Sequence, residues 1–210
     1  MKLPAAPGSL FARSFLRWSA CLLLALGVLS SLRVNAEESR ENRFDAVIRS
    51  AALKHGLDPL LLKALIWHES RFNPLATGKA GEIGLMQLRM IVVRDWAQST
   101  GVPAPSEHEV YDPYLNLEIG SWYLARAMKR WQESSFSLLL ALGEYNAGRA
   151  RVLGWIRKNE GDSEKAIAQS ASAGYVRSIR GKYMEYLLAV MEPDFQEPGT
   201  LEIAVQQPVI

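Results

Sequence analysis

Two aspartate-proline pairs, Asp58-Pro59 and Asp112-Pro113, each stand directly before a long stretch rich in apolar residues. An aspartate at a helix N-cap accepts hydrogen bonds from the first-turn N–H groups. Proline fits the first helical position because its missing N–H would be unpaired there anyway. Both pairs therefore mark helix starts. After the first, residues 60–67 are apolar nearly all round, which predicts a central, buried helix ending at Asn73-Pro74. Upstream, Phe44, Val47, Ile48, Ala51 and Ala52 repeat at helical spacing over 43–54, and Gly56 supplies the stop. Further helices are expected from about Gly84 to Gln98, from Pro113 towards Trp131, and from Phe136 to Leu142. Asn146-Ala147-Gly148 breaks the pattern, Val152–Ile156 resumes it, and a last helix spans Ala173–Met191. Residues 75–83 hold Gly78 and Gly81 and read as a loop or small hairpin. The fold class is all-α, with at most a minimal hairpin and no internal repeat.

The first 36 residues are of another kind. Lys2, Arg13 and Arg17 precede an apolar run from about Cys21 to Leu29, and Val34-Asn35-Ala36 offers the small residues a signal peptidase reads. The expectation is a signal peptide at 1–36, a flexible charged lead at 37–42, a domain at 43–191 and a tail without periodicity at 192–210. Removing 1–36 removes Lys2, Arg13, Arg17 and Arg33 and no acid, so the formal net charge goes from +2 to −2. The mature chain thus gives no electrostatic case for nucleic-acid binding. Cys21 is the only cysteine, and it opens the apolar run where a lipid-attachment cysteine would follow it. The mature chain has no thiol and no disulfide. His55, His68 and His108 are scattered without ligand spacing, so no metal or other cofactor is expected. The chain is expected to cross the inner membrane, to work as a monomer, and to be periplasmic or envelope-associated.

The chemistry concentrates on Glu69, at the end of the apolar helical run. A carboxylate among apolar neighbours holds its proton towards neutral pH and can donate it to a glycosidic oxygen. Most glycosidases pair two carboxylates. The motif regions here offer one well-placed acid, and one suffices when an N-acetylated sugar supplies the nucleophile through its acetamido oxygen.

Several blocks in order carry a resemblance: Glu69-Ser70-Arg71-Phe72-Asn73-Pro74; Ala76 and Gly81 before Gly84-Leu85-Met86-Gln87; Asn116, Gly120 and Tyr123-Leu124; Tyr145-Asn146-Ala147-Gly148; and Tyr175-Val176 with Ile179. Over residues 43–190 the chain resembles the lytic transglycosylase domain of the soluble-lytic-transglycosylase and goose-lysozyme-like superfamily, which implies a lysozyme-like helical fold. The resemblance also implies cleavage between N-acetylmuramic acid and N-acetylglucosamine in peptidoglycan glycan strands. Glu69 is then the catalytic acid and base, desolvated by Ile66, Trp67 and Met86. Tyr145 hydrogen-bonds near Glu69 and helps place it, while Asn146 and Gln87 hold sugar or acetamido groups. Ser70 hydrogen-bonds within the site, and Met86 and Tyr175 line the sugar groove. His68, about 100° round the helix from Glu69, is expected to have no catalytic role.

The chain departs from the family pattern at four places. Glu82 and Glu144 stand where alanine is usual, Ala171-Ser172-Ala173 replaces Glu-Thr-Arg, and Arg89-Met90 replaces Met-Pro. Goose-type lysozymes carry acids in the loop that holds Glu82, so a hydrolase using Glu82 is one alternative. A non-catalytic glycan-binding scaffold of an envelope machine is another, and a partner in secretion or cell-wall machinery is left open.

Overall fold

The computed structural model describes residues 40–191. The expected signal peptide, its cleavage after Ala36, Cys21 and the tail at 192–210 lie outside the described residues. Among the described residues no helix is long and apolar enough to cross a membrane.

The domain is all-α. Helix α1 spans Asp45–His55 and closes on Gly56, whose left-handed φ of 67° suits a residue without a Cβ. Helix α2 spans Pro59–Ser70, with Asp58 accepting from the N–H groups of Leu60 and Leu61, the capping its sequence specifies. Helix α3 is Met90–Thr100, a 3-10 turn occupies Glu109–Tyr111, and α4 is Pro113–Arg130, capped by Asp112. Then follow α5 (Ser137–Ala147), α6 (Arg149–Lys158), α7 (Ser163–Ala168) and α8 (Ala173–Met191). The short α7, capped by Asp162, has no apolar period long enough to be seen in sequence.

Helix α2 is the core element. Leu61, Leu62, Ala64, Leu65 and Ile66 are all buried, and its principal partner is α8, the last helix of the described chain. That packing is tied at the N-terminus of α2, where the Tyr183 hydroxyl donates to the second oxygen of Asp58 at 2.7 Å. One carboxylate thus caps a helix and anchors its neighbour. Residues 40–42, expected to be a flexible lead, already form a helical turn. There Glu41 accepts from the Tyr186 hydroxyl and pairs with Lys182 of α8 at 3.4 Å.

Two expectations need correction. The helix predicted from Gly84 begins only at Met90. Residues 83–88 are instead a tight turn, with isolated antiparallel bridges pairing Ile83 with both Thr77 and Leu88. This is the minimal hairpin, displaced towards the Gly-Leu-Met-Gln block. The cause is a buried side chain, Asn116 of α4. Its amide donates to the carbonyls of Ile83 and Val110, and its oxygen accepts from Met86 N–H at 2.8 Å. Those bonds satisfy the turn's backbone without a helix. The stop of α2 also comes earlier than Asn73-Pro74. Arg71 and Phe72 both take left-handed φ, 51° and 58°, and turn the chain before the proline is reached. Burial of Phe72 (3% exposed) and stacking of the Arg71 guanidinium on Trp67, 3.2 Å from the ring centre, offset that backbone cost.

Glu144 resolves one departure from the family pattern. It is 2% exposed, yet both carboxylate oxygens are used, one by Arg130 at 2.5 Å and one by the Trp131 indole N–H at 2.8 Å. A buried charge is tolerable only when paired in this way. The effect is to clamp the end of α4 onto α5 one residue before Tyr145.

Candidate active site

Glu69 emerges from the last turn of α2 into a cleft of about 390 Å³. The cleft is lined by Glu82 and Gln87 from the turn, Arg89, Ile91 and Val92 at the start of α3, Tyr123 of α4, and Tyr145–Gly148 with Arg151 at the junction of α5 and α6. A larger hollow of about 610 Å³, bounded by His55, Trp122, Arg126 and Lys129 among others, contains none of the motif residues and no lining carboxylate.

Glu69 is partly buried. Removal from water raises the cost of its charge and pushes its pKa up from 4.5 to about 7. The hydrogen bond from Tyr175 opposes that shift, and the nearby negative charge of Glu82 adds to it. The carboxyl group therefore changes charge near neutrality, the range a group needs to serve as both acid and base. Ile66 and Met86, two of the expected sources of desolvation, are fully buried, and Trp67 is half-buried.

The two tyrosines exchange their expected parts. The Tyr175 hydroxyl donates to Glu69 Oε1 at 2.5 Å, whereas the Tyr145 hydroxyl donates to the carbonyl of Met86 at 2.8 Å. Tyr175 is thus the residue that fixes the carboxylate, and it does not line the cleft. Tyr145 faces the cleft and holds the turn, with its ring packed on Tyr123 at 5.3 Å. Spacing along the chain could not separate them, because α8 reaches Glu69 only through its packing on α2. The His68 imidazole supports Tyr175 edge-on, 4.7 Å between ring centres, and Ser178 of α8 bonds its Nδ1 at 2.9 Å.

Met86 also departs from expectation. Its side chain does not line the groove but is fully buried against Gly120 of α4. A Cβ at Gly120 would lie 2.3 Å from the Met86 sulfur, so the glycine is what lets the turn sit this close to α4. Gln87 does line the cleft, held by bonds from its amide to the carbonyls of Ala76 and Gly84. Its φ of 48° is a left-handed conformation unusual for a residue with a side chain. Asn146 is exposed in the cleft, and its side-chain oxygen accepts from the buried Ser172 hydroxyl at 2.7 Å. Ser70 turns inward and donates to the carbonyl of Ile66 at 3.3 Å, away from the cleft lining. Glu82, the acid of the alternative hydrolase reading, lines the cleft. Its Oε2 accepts from Ala80 N–H at 3.0 Å and fills the space over Gly78, where a Cβ would lie 2.1 Å from that oxygen.

Asn116, Ser172 and Tyr175 are the supports that sequence reasoning did not assign. They act through hydrogen bonds to Met86, Asn146 and Glu69, each at least 26 residues away, buried for Asn116 and partly buried for the other two. Among the described residues no group of three or more His, Cys, Asp or Glu side chains is arranged to hold a metal.

Known proteins resemble this chain in sequence and in fold. The model of the transglycosylase SLT domain matches residues 46–168. Membrane-bound lytic murein transglycosylase C of Edwardsiella ictaluri is 26% identical over 180 residues, 83% of this chain and 50% of that protein. Its namesake from Salmonella typhimurium is 33% identical over 106 residues, 50% of this chain and 29% of that protein. The chain thus spans half or less of the length of these curated relatives. Among solved structures, the 70-kDa soluble lytic transglycosylase of Escherichia coli superposes with a TM-score of 0.61 at 22% identity, over 69% of this chain and 24% of that one. An inactive mutant of the lytic transglycosylase Slt from Pseudomonas aeruginosa gives 0.60 at 24% identity, over 70% and 24%. At these identities the likeness to the solved structures is one of fold.

Proposed function

This chain belongs to the transglycosylase SLT domain family, and from that premise we propose that it is a peptidoglycan lytic transglycosylase with Glu69 as its single general acid and base. Its substrate is the β-1,4 bond between N-acetylmuramic acid and N-acetylglucosamine. The observation that carries the reading is one carboxyl group, its pKa pushed up to about 7 by burial, held by Tyr175 at the edge of an open cleft. Protonated Glu69 gives its proton to the departing glycosidic oxygen while the muramic acetamido oxygen closes on the anomeric carbon. Ionised Glu69 then takes the proton of the muramic C6 hydroxyl. That oxygen attacks the same carbon, expels the acetamido oxygen and forms a 1,6-anhydro ring. The proton inventory of Glu69 is restored and no water is consumed.

Gln87 and Asn146 contact sugar or acetamido groups from the turn and from the end of α5. Tyr145 contributes by fixing the turn through the Met86 carbonyl, and Ser70 by closing the end of α2. The names of the relatives, membrane-bound lytic murein transglycosylases, support a place in the bacterial envelope. The expected signal at 1–36 accords with export, and the protein acts there as a monomer.

A second reading has one observation in its favour. Glu82 faces the same cleft as Glu69. A carboxylate there could activate water and make the enzyme a hydrolase. Digestion of purified sacculi followed by mass spectrometry separates the readings. Fragments lighter by one water and lacking a reducible end are expected. Reducible muramic ends would establish hydrolysis instead. No fragments from the folded chain would overturn both readings and favour a binding scaffold.

A further inference from the structure

The cleft carries two cations that the reaction does not use. Arg89, directly before α3, and Arg151, in the first turn of α6, line it together with Glu69. Both are exposed. The ion pairs among the described residues include neither of them, although Glu69 and Glu82 share the cleft. Arg151 has one hydrogen bond of its own, from Nη1 to the Ala147 carbonyl at 3.3 Å, and the Arg89 side chain makes none with the described residues. Each guanidinium presents five N–H donors in a planar fork that matches a carboxylate. Arg130 and Arg126, outside the cleft, are paired with Glu144 and Asp95; what sets Arg89 and Arg151 apart is that they stand in the cleft itself.

Two cations left open in a substrate groove point to an anionic ligand. The sugar backbone of a glycan strand is neutral. Its negative charge lies on the branch carried by the muramic residue, whose peptide bears free carboxylates. Resting on the function proposed above, we propose that Arg89 and Arg151 form a carboxylate subsite for the acidic peptide branch of the strand, so that the enzyme selects peptide-bearing strands. Arg89 belongs to the pair that departs from the family's Met-Pro, which gives this chain a cation where an apolar residue is usual. The contact is made at the groove rim. It acts mainly on KM and weakens with salt.

The test uses the full chain and its Arg89→Gln/Arg151→Gln double variant on three substrates: intact strands, strands whose carboxyl groups have been amidated with carbodiimide, and strands stripped of peptide by an amidase whose freed lactyl carboxyls are then amidated. The wild type should prefer intact over amidated strands by about tenfold in kcat/KM. The double variant should lose that preference, chiefly through KM. Its defect relative to the wild type should also disappear on stripped strands. Equal loss on intact and amidated strands, or no loss on either, overturns the subsite. A defect that persists on the stripped and amidated strands, which carry no free carboxylate, overturns the peptide assignment. Titration calorimetry with a disaccharide-tetrapeptide reads the subsite without turnover. If the wild type binds it more tightly than the double variant but cuts no strand, the subsite stands and the function proposal fails. Both arginines are exposed, so the substitutions leave the core intact.

Discussion

At the scale of single residues, Glu69 sits between two opposing influences, and each can be removed alone. The Tyr175 hydroxyl stabilises the ionised carboxylate, whereas the charge of Glu82 destabilises it. In the proposed mechanism cleavage begins with protonated Glu69, so kcat/KM should fall as pH rises through its pKa. Tyr175→Phe should move that alkaline limb to higher pH, and Glu82→Gln should move it to lower pH. A rate loss without these opposite displacements would show that the two residues act only as scaffold. The same carboxyl group bears on stability. Its pKa is higher folded than unfolded, so the folded state holds the extra proton between about pH 4.5 and 7 and stability declines as pH rises through that window. Glu69→Gln should therefore abolish cleavage, match the wild type in stability near pH 4, and exceed it by about 1–3 kcal/mol near pH 8. Urea unfolding at the two pH values measures the difference.

At the scale of elements, legibility followed the range of the interactions. The starts of α2 and α4 were written in Asp58-Pro59 and Asp112-Pro113, because a cap is a bond between near neighbours. The range of α8, Ala173–Met191, agrees with its periodicity. The Gly84–Leu88 turn was misread as helix because what holds it, Asn116, arrives from another helix 30 residues on. Met86 was likewise assigned to the groove, since nothing nearby in sequence announces its burial against Gly120. The apolar setting of Glu69 was legible in the run that precedes it. Its tyrosine was not, because Tyr145 and Tyr175 differ only in which helix brings them near. Asn116→Ala would strand the Ile83 and Val110 carbonyls and the Met86 N–H in a dry interior. We expect a loss of about 2–4 kcal/mol in urea unfolding, and cleavage reduced further than that loss explains, because Gln87 and Glu82 ride on the same turn.

At the scale of the whole molecule, the match to the SLT domain model ends at residue 168, yet the structure continues through α8. Val176 and Ile179 of that helix are buried in the core, and Tyr183 is bound to the cap of α2. A chain ending at Ser172 would expose the apolar flank of its central helix. It should show no cooperative thermal transition by circular dichroism, whereas one ending at Met191 should retain it. The bond between Glu69 and Tyr175 spans 106 positions. Ribosomes deliver the acid long before the tyrosine, so during synthesis the carboxyl group exists for most of the chain's growth without the hydroxyl that fixes it. The carboxyl group on which the proposed reaction depends is thus fixed only when α8 docks on α2.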